Sequence, residues 1–368
     1  MRIMPRMILS RKEAALAAAS ILIGALSAAA QPTLAPPSMT QPPAATPTLT
    51  TPPLATPSLA TPSLANPQNT QDQNSVLQPV KPFVATAALG NAPDLAFGAY
   101  QRGYYATALR EAMKRVEVNS NDAAAMTLIG ELYAQGLSGK RDLAEAAHWY
   151  KLAADRGDRQ AIFSLALAKL RGDGIAQDRD GARNLFEKAA AQNHPGALYN
   201  LGVLAIENNG VVSDFPKAAR YFKQAADAGD SDAAYALGIL FRNGTGTEKD
   251  EERAAEWLRR AALDNNIAAQ VEYGIMLFNG IGVEKDEAGA ARFFLKAAVR
   301  NNPVAQNRVA RLLAAGRGIQ KDPVEAMKWH ILARSTGVKD AWLDGELAKL
   351  TPLEKTAVED ALKKYVGN

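Results

Sequence analysis

Three histidines, a recurring aspartate and a set of Gly-x-Gly tripeptides are the residues of this 368-residue chain that could do chemistry. Triads and metal centres need imidazoles brought together with a nucleophile or with further ligands. His148, His194 and His330 are far apart in sequence, and none lies at ligand spacing from another. Cysteine is absent, which removes thiolate nucleophiles, disulfides and Cys-ligated metals. Asp142, Asp178, Asp214, Asp250, Asp286 and Asp322 recur every 36 residues. Carboxylates spread one to a repeat cannot converge on one substrate. Each precedes a helical pattern, where a carboxylate accepts hydrogen bonds from free first-turn amides. Asp142 with Glu145 predicts a capping box, and Asp322-Pro323 puts proline at the first helical position. The acidic run Asp250-Glu251-Glu252 falls in a first turn, where the helix dipole favours it.

The tripeptides Gly172-Asp173-Gly174, Gly244-Thr245-Gly246, Gly280-Ile281-Gly282 and Gly316-Arg317-Gly318 resemble half a dinucleotide fingerprint. They follow helical patterns rather than strands, so they fail the context that fingerprint requires. Positive φ after a helix end explains them better. These residue types therefore predict no catalytic residue, no metal site and no cofactor.

The elements that carry these residues repeat in strict register. Steps of 36 from Ala125 give Ala161, Ala197, Ala233, Ala269 and Ala305, and steps from Gly130 always give glycine or alanine. Each unit reads as two helices. In the first, apolar residues fall at offsets 0, 4 and 7 from the leading alanine, as in Ala197, Leu201 and Leu204. The tiny residue at offset 5 lets a neighbouring helix come close. The second helix carries Trp149, Tyr221, Trp257, Phe293 and Trp329 at one shared position, with Leu185 in the second unit. That side chain is expected to pack back on its partner helix. The second helix stops at Gly157, Asn193, Gly229, Asn265, Asn301 or Gly337, residues that tolerate a left-handed cap.

Ahead of the repeats the composition changes. Residues 1–30 hold four basic residues, then an apolar run from Ala14, ending in Ala28-Ala29-Ala30 before Gln31. This predicts a signal peptide cut between Ala30 and Gln31, with an uncleaved membrane anchor as the alternative. Either places the rest of the chain in the periplasm or outside the cell. Residues 31–85 hold thirteen of the 20 prolines and predict a disordered, extended linker. The net charge is +4, of which four bases and one acid in residues 1–30 supply most. The remainder is nearly neutral, which argues against nucleic acid as a partner.

The pattern Ala…Leu-Gly…Gly-x-Gly…Asp…Ala…Trp/Tyr…Ala-Ala…Gly resembles the Sel1-like repeat, a relative of the tetratricopeptide repeat. The resemblance implies an all-α fold, a right-handed α-α superhelix (solenoid) of helical hairpins. It divides the folded part into a tetratricopeptide-like unit at 92–121, six Sel1-like repeats at 122–337 and capping helices at 338–368. It also implies a non-catalytic scaffold that binds a protein or peptide partner, such as a membrane sensor or an envelope complex; a secreted effector is the alternative. Some cysteine-rich secreted members carry a β-lactamase label. This chain has neither the cysteines nor a Ser-x-x-Lys set. Mapping the tetratricopeptide groove onto the register points to offsets 2, 6 and 9 of the first helices. That gives Phe163, Tyr199, Tyr235, Ile239, Arg242 and Phe278 as partner-binding candidates, on a face that is either a groove or inner packing.

Overall fold

The computed structural model describes residues 94–207 and 213–367. The expected signal segment 1–30 with its Ala30–Gln31 cleavage point, the linker 31–85, and residues 92 and 93 of the first unit lie outside the described residues. Within them the chain forms helices joined by turns, with no strand. A hairpin of α1 (Leu95–Gln101) and α2 (Tyr105–Val118) comes first. Six 36-residue hairpins follow: α3 (Ala123–Gln135) with α4 (Leu143–Ala154), α5 (Arg159–Arg171) with α6 (Arg179–Ala191), and α7 (Pro195–Glu207) with α8 (Phe215–Asp227). The last three pair α9 (Ser231–Asn243) with α10 (Glu251–Leu263), α11 (Ile267–Asn279) with α12 (Glu287–Ala298), and α13 (Pro303–Ala315) with α14 (Pro323–Ser335). α15 (Ala341–Lys349) and α16 (Pro352–Val366) close the series. From α1 to α14 each helix packs chiefly on its neighbours in sequence, and α16 returns onto α14. Such nearest-neighbour packing is that of a solenoid.

The recurring aspartates do two jobs at once. Every one of the six caps the second helix of its unit through its side chain, as Asp250 does for the Arg253 amide at 2.9 Å. Its own backbone N–H meanwhile closes the loop onto the first helix, at Tyr133, Lys169, Ala205, Phe241, Leu277 and Leu313 in turn. This second bond changes the expectation at Asp142. Its amide is already given to the Tyr133 carbonyl at 3.1 Å, so Glu145 does not complete a capping box there. A full box forms instead at Thr351 and Glu354, at the start of α16.

The first helices have a cap series of their own, one that the changing residue type hides in the sequence. Asp122, Asp158, His194, Asp230, Asn266 and Asn302 each accept the amide of the leading alanine three residues on. The leading alanine is therefore fixed twice, by this bond and by its complete burial. The second helices end as expected: Gly157, Asn193, Gly229, Asn265, Asn301 and Gly337 all take positive φ.

The core follows one rule in both helices. Offsets 0, 4 and 7 are buried in the first helices, and the same offsets from Ala146 and its equivalents are buried in the second. The enclosed second-helix side chain is accordingly Tyr150, Phe186, Phe222, Leu258, Phe294 or His330. This lies one residue beyond the aromatic position read from the sequence. Trp149, Leu185, Tyr221, Trp257 and Phe293 are only partly buried, because they stand about 100° away around the helix; Trp329, which α16 covers, is buried. Glycine at offset 5 serves the enclosed residue: a Cβ on Gly202 would lie 2.5 Å from the Phe222 ring, and one on Gly238 2.7 Å from Leu258.

Candidate functional site

The six candidates lie on the first helices, on the side turned away from the 0, 4, 7 stripe. The structure divides them into two groups. Phe163, Ile239 and Phe278 are enclosed, at 8%, 3% and 6% exposure. Phe163 stacks on His194 with ring centroids 4.3 Å apart and leans on Phe186 at 5.9 Å. Phe278 is roofed by the Arg317 guanidinium, 4.4 Å above its ring. Phe163 and Phe278 thus pack against residues that precede or belong to the following unit.

Tyr199, Tyr235 and Arg242 remain half-buried, alongside Val203 and Ile275. Tyr199 sits 5.6 Å from Phe222, edge tilted. Burial pushes its phenol above the ordinary range, and Asp232 and Asp230 add to the effect. Tyr235 is raised the same way, by burial and then by Glu272, with Arg242 opposing. Both phenols stay protonated at any ordinary pH, so they offer apolar ring surface and a neutral hydroxyl rather than a base. Arg242 forms an ion pair with Glu272 of the next unit. Tyr199, Tyr235 and Arg242 thus make one neighbourhood across α7, α9 and α11, while Phe163 and Phe278 belong to flanking packing.

The histidines do not assemble a reactive centre among the described residues. His148 is exposed. His330 is fully enclosed, with Nε2 2.9 Å from Asp344 Oδ1 and no partner for Nδ1. No group of three His, Asp or Glu side chains among the described residues is placed to hold a metal, and no described helix is long and apolar enough to cross a membrane.

His194 has a structural task that sequence reading missed, although its place 36 residues after Asp158 could have shown it. Its Nδ1 accepts the Ala197 amide at 3.2 Å, and its Nε2 faces Gln160 Oε1 at 3.0 Å. Both bonds need a neutral ring protonated on Nε2. Burial, reinforced by the Arg159 charge, lowers the pKa from 6.5 to about 4. The unfolded chain takes up the proton first, so the contribution is complete above pH 6.5 and is lost as pH falls toward 4. His194→Asn supplies the cap that Asn302 already provides before Pro303. The wild type is expected to lose about 2 kcal/mol more than this variant between neutral pH and pH 4. Urea midpoints across that range would show it, and parallel curves for the two proteins would contradict it.

The geometry is that of a repeat family. The Sel1 repeat model matches six times, at residues 123–158, 159–194, 195–230, 231–266, 267–302 and 303–335. These segments begin where α3, α5, α7, α9, α11 and α13 begin. Among solved structures, a Sel1 repeat protein from Oxalobacter formigenes is 33% identical, covering 66% of this chain and 98% of that one, with a TM-score of 0.60. A protective antigen present in uropathogenic Escherichia coli strains, displaying an SLR fold, is 24% identical over 74% of this chain and 69% of that one, with a TM-score of 0.45. No curated protein matches. With six consecutive matches in the register of its own helices, this chain belongs to the Sel1 repeat family.

Proposed function

We propose that the chain is an exported, non-catalytic scaffold that binds a protein or peptide partner on its first-helix face and so regulates or organises an envelope process. Sel1 and tetratricopeptide-like repeats commonly mediate protein–protein interaction. The observation that carries the reading is the second apolar row. The first helices bury one stripe in the core and still leave Tyr199, Val203, Tyr235 and Ile275 partly open on another side. A partly exposed aromatic and aliphatic row on rigid helices suits capture of a partner segment. Export is the expectation set by residues 1–30.

Two variants test the face. Tyr199→Ala with Tyr235→Ala removes its aromatic surface, and Ile275→Arg inserts a charge at a partly open position. Both are expected to weaken partner capture by tenfold or more, about 1.4 kcal/mol or above. Ile275→Arg should melt within a few degrees of the wild type, which separates binding from folding. Unchanged capture in both variants would reject the face. Cell fractionation separates the envelope role from a secreted effector, since recovery mainly from the culture medium would favour the latter.

A further inference from the structure

One guanidinium on the first helices, at offset 3 from its leading alanine and so flanking the 2, 6, 9 row, has no protein counter-ion in contact. Arg308 lies on α13, half-buried, and its Nε is enclosed without any hydrogen-bond acceptor. The charged groups that act on it are Arg311, Asp340 and Glu272. Both carboxylates are already engaged. Asp340 is held by Arg311 through two bonds, at 2.6 and 2.8 Å. Glu272 is paired with Arg242. Three guanidinium groups thus share two carboxylates, and the uncompensated positive charge rests on Arg308. Burial and the neighbouring Arg311 both lower its pKa, as expected of a cation that lacks a partner.

We propose that Arg308 anchors a carboxylate of an acidic peptide segment whose apolar side chains lie on the adjoining row at Tyr235 and Ile275. The inference rests on reading the first-helix face as the partner surface, and it names the partner's chemistry. A planar guanidinium offers a fork of donors that matches a carboxylate. A nucleic acid fits poorly, because a run of phosphates needs several free cations and Arg308 is a single one.

The test is a dodecapeptide display library selected on the full chain and on Arg308→Gln. Peptides recovered on the wild type should be enriched in Asp or Glu next to apolar residues, and those recovered on the variant in apolar residues alone. For a selected peptide, changing its Glu to Gln should weaken binding to the wild type about tenfold and leave binding to Arg308→Gln unchanged. Arg308→Lys keeps the charge without the fork and should fall between them. Melting curves of both variants establish that they fold. Acidic enrichment that persists on Arg308→Gln, or is absent on the wild type, overturns the anchor while leaving the face intact. Peptides that bind the Tyr199→Ala, Tyr235→Ala protein as well as the wild type overturn the face itself, and failure to select any peptide overturns both.

Discussion

Gly282→Ala is expected to lower stability by about 2–5 kcal/mol, the sum of two separate costs. At φ +63° an alanine meets the left-handed penalty of about 1–2 kcal/mol. The added Cβ would also stand 2.0 Å from the Glu251 carbonyl oxygen, a distance that forces the loop to back away from α10. Overpacking of that kind costs about 1–3 kcal/mol. The contact joins one unit to the next, so the damage falls on the coupling between units, from which a solenoid draws its cooperativity. The equivalents behave alike: a Cβ on Gly174 meets Leu143 O at 2.0 Å, and one on Gly318 meets Glu287 O at 2.2 Å. Gly280→Ala provides the comparison. It carries a similar φ of +70° but its nearest neighbour, the Lys285 Cβ, stands 3.3 Å away and need give only slightly, so the backbone penalty of about 1–2 kcal/mol dominates. Urea unfolding of both variants decides the matter, and equal losses would show that the unit-to-unit contact contributes nothing.

Asp340→Ala is expected to destabilise by about 3–5 kcal/mol. The Asp340 side chain is 3% exposed and receives two bonds from Arg311, one from Asn307 and the Leu343 amide that starts α15. Burial alone would raise its carboxyl pKa; the Arg311, Asn307 and Leu343 donors outweigh this and hold it below the ordinary range. Its stabilisation is therefore present above the unfolded value near 4 and is lost only as pH falls through the lower folded value. Alanine leaves the Arg311 charge half-buried and without its carboxylate. Asn keeps the cap and part of the bonding, so Asp340→Asn should lose roughly half as much. Melting curves with signals from Trp342, against which Arg311 lies at 5.4 Å, would report the closing helices directly. A loss below about 1 kcal/mol would mean that α15 is not held by this cluster.

Much of the fold was legible because a strict period of 36 residues makes each position visible six times. The aspartate caps, the glycine loops and the left-handed helix ends all came from that repetition. Where a position keeps its role but changes its residue, the period alone was not enough. The first-helix cap passes from Asp158 through His194 to Asn302, and only the shared bond to the leading alanine reveals it. The aromatic at Trp257 was more conspicuous than Leu258, yet Leu258 is the enclosed residue. Size attracted the reading, while the helix phase set by offsets 0, 4 and 7 decides burial. The second glycine of each loop was legible as a turn residue, but its contact with the preceding unit depends on how hairpins stack. On the first-helix face the spacing sets out a second row at offsets 2, 6 and 9. It could not tell enclosed Phe163 and Phe278 from half-open Tyr199 and Tyr235, because that depends on neighbours such as His194 and Arg317. Arg308 was invisible for a related reason: its significance lies in which carboxylates its neighbours have already taken.

Photo-crosslinking in intact cells shows whether a partner is held on the first-helix face. A photoreactive residue is placed at Val203 or Ile275 on the first helices, and at Glu187 or Glu256 on exposed positions of the second helices. A discrete protein adduct is expected from Val203 and Ile275, abolished in the Tyr199→Ala, Tyr235→Ala background, with none from Glu187 or Glu256. Adducts formed only from the second-helix positions, or formed equally from all four, would contradict a partner held there.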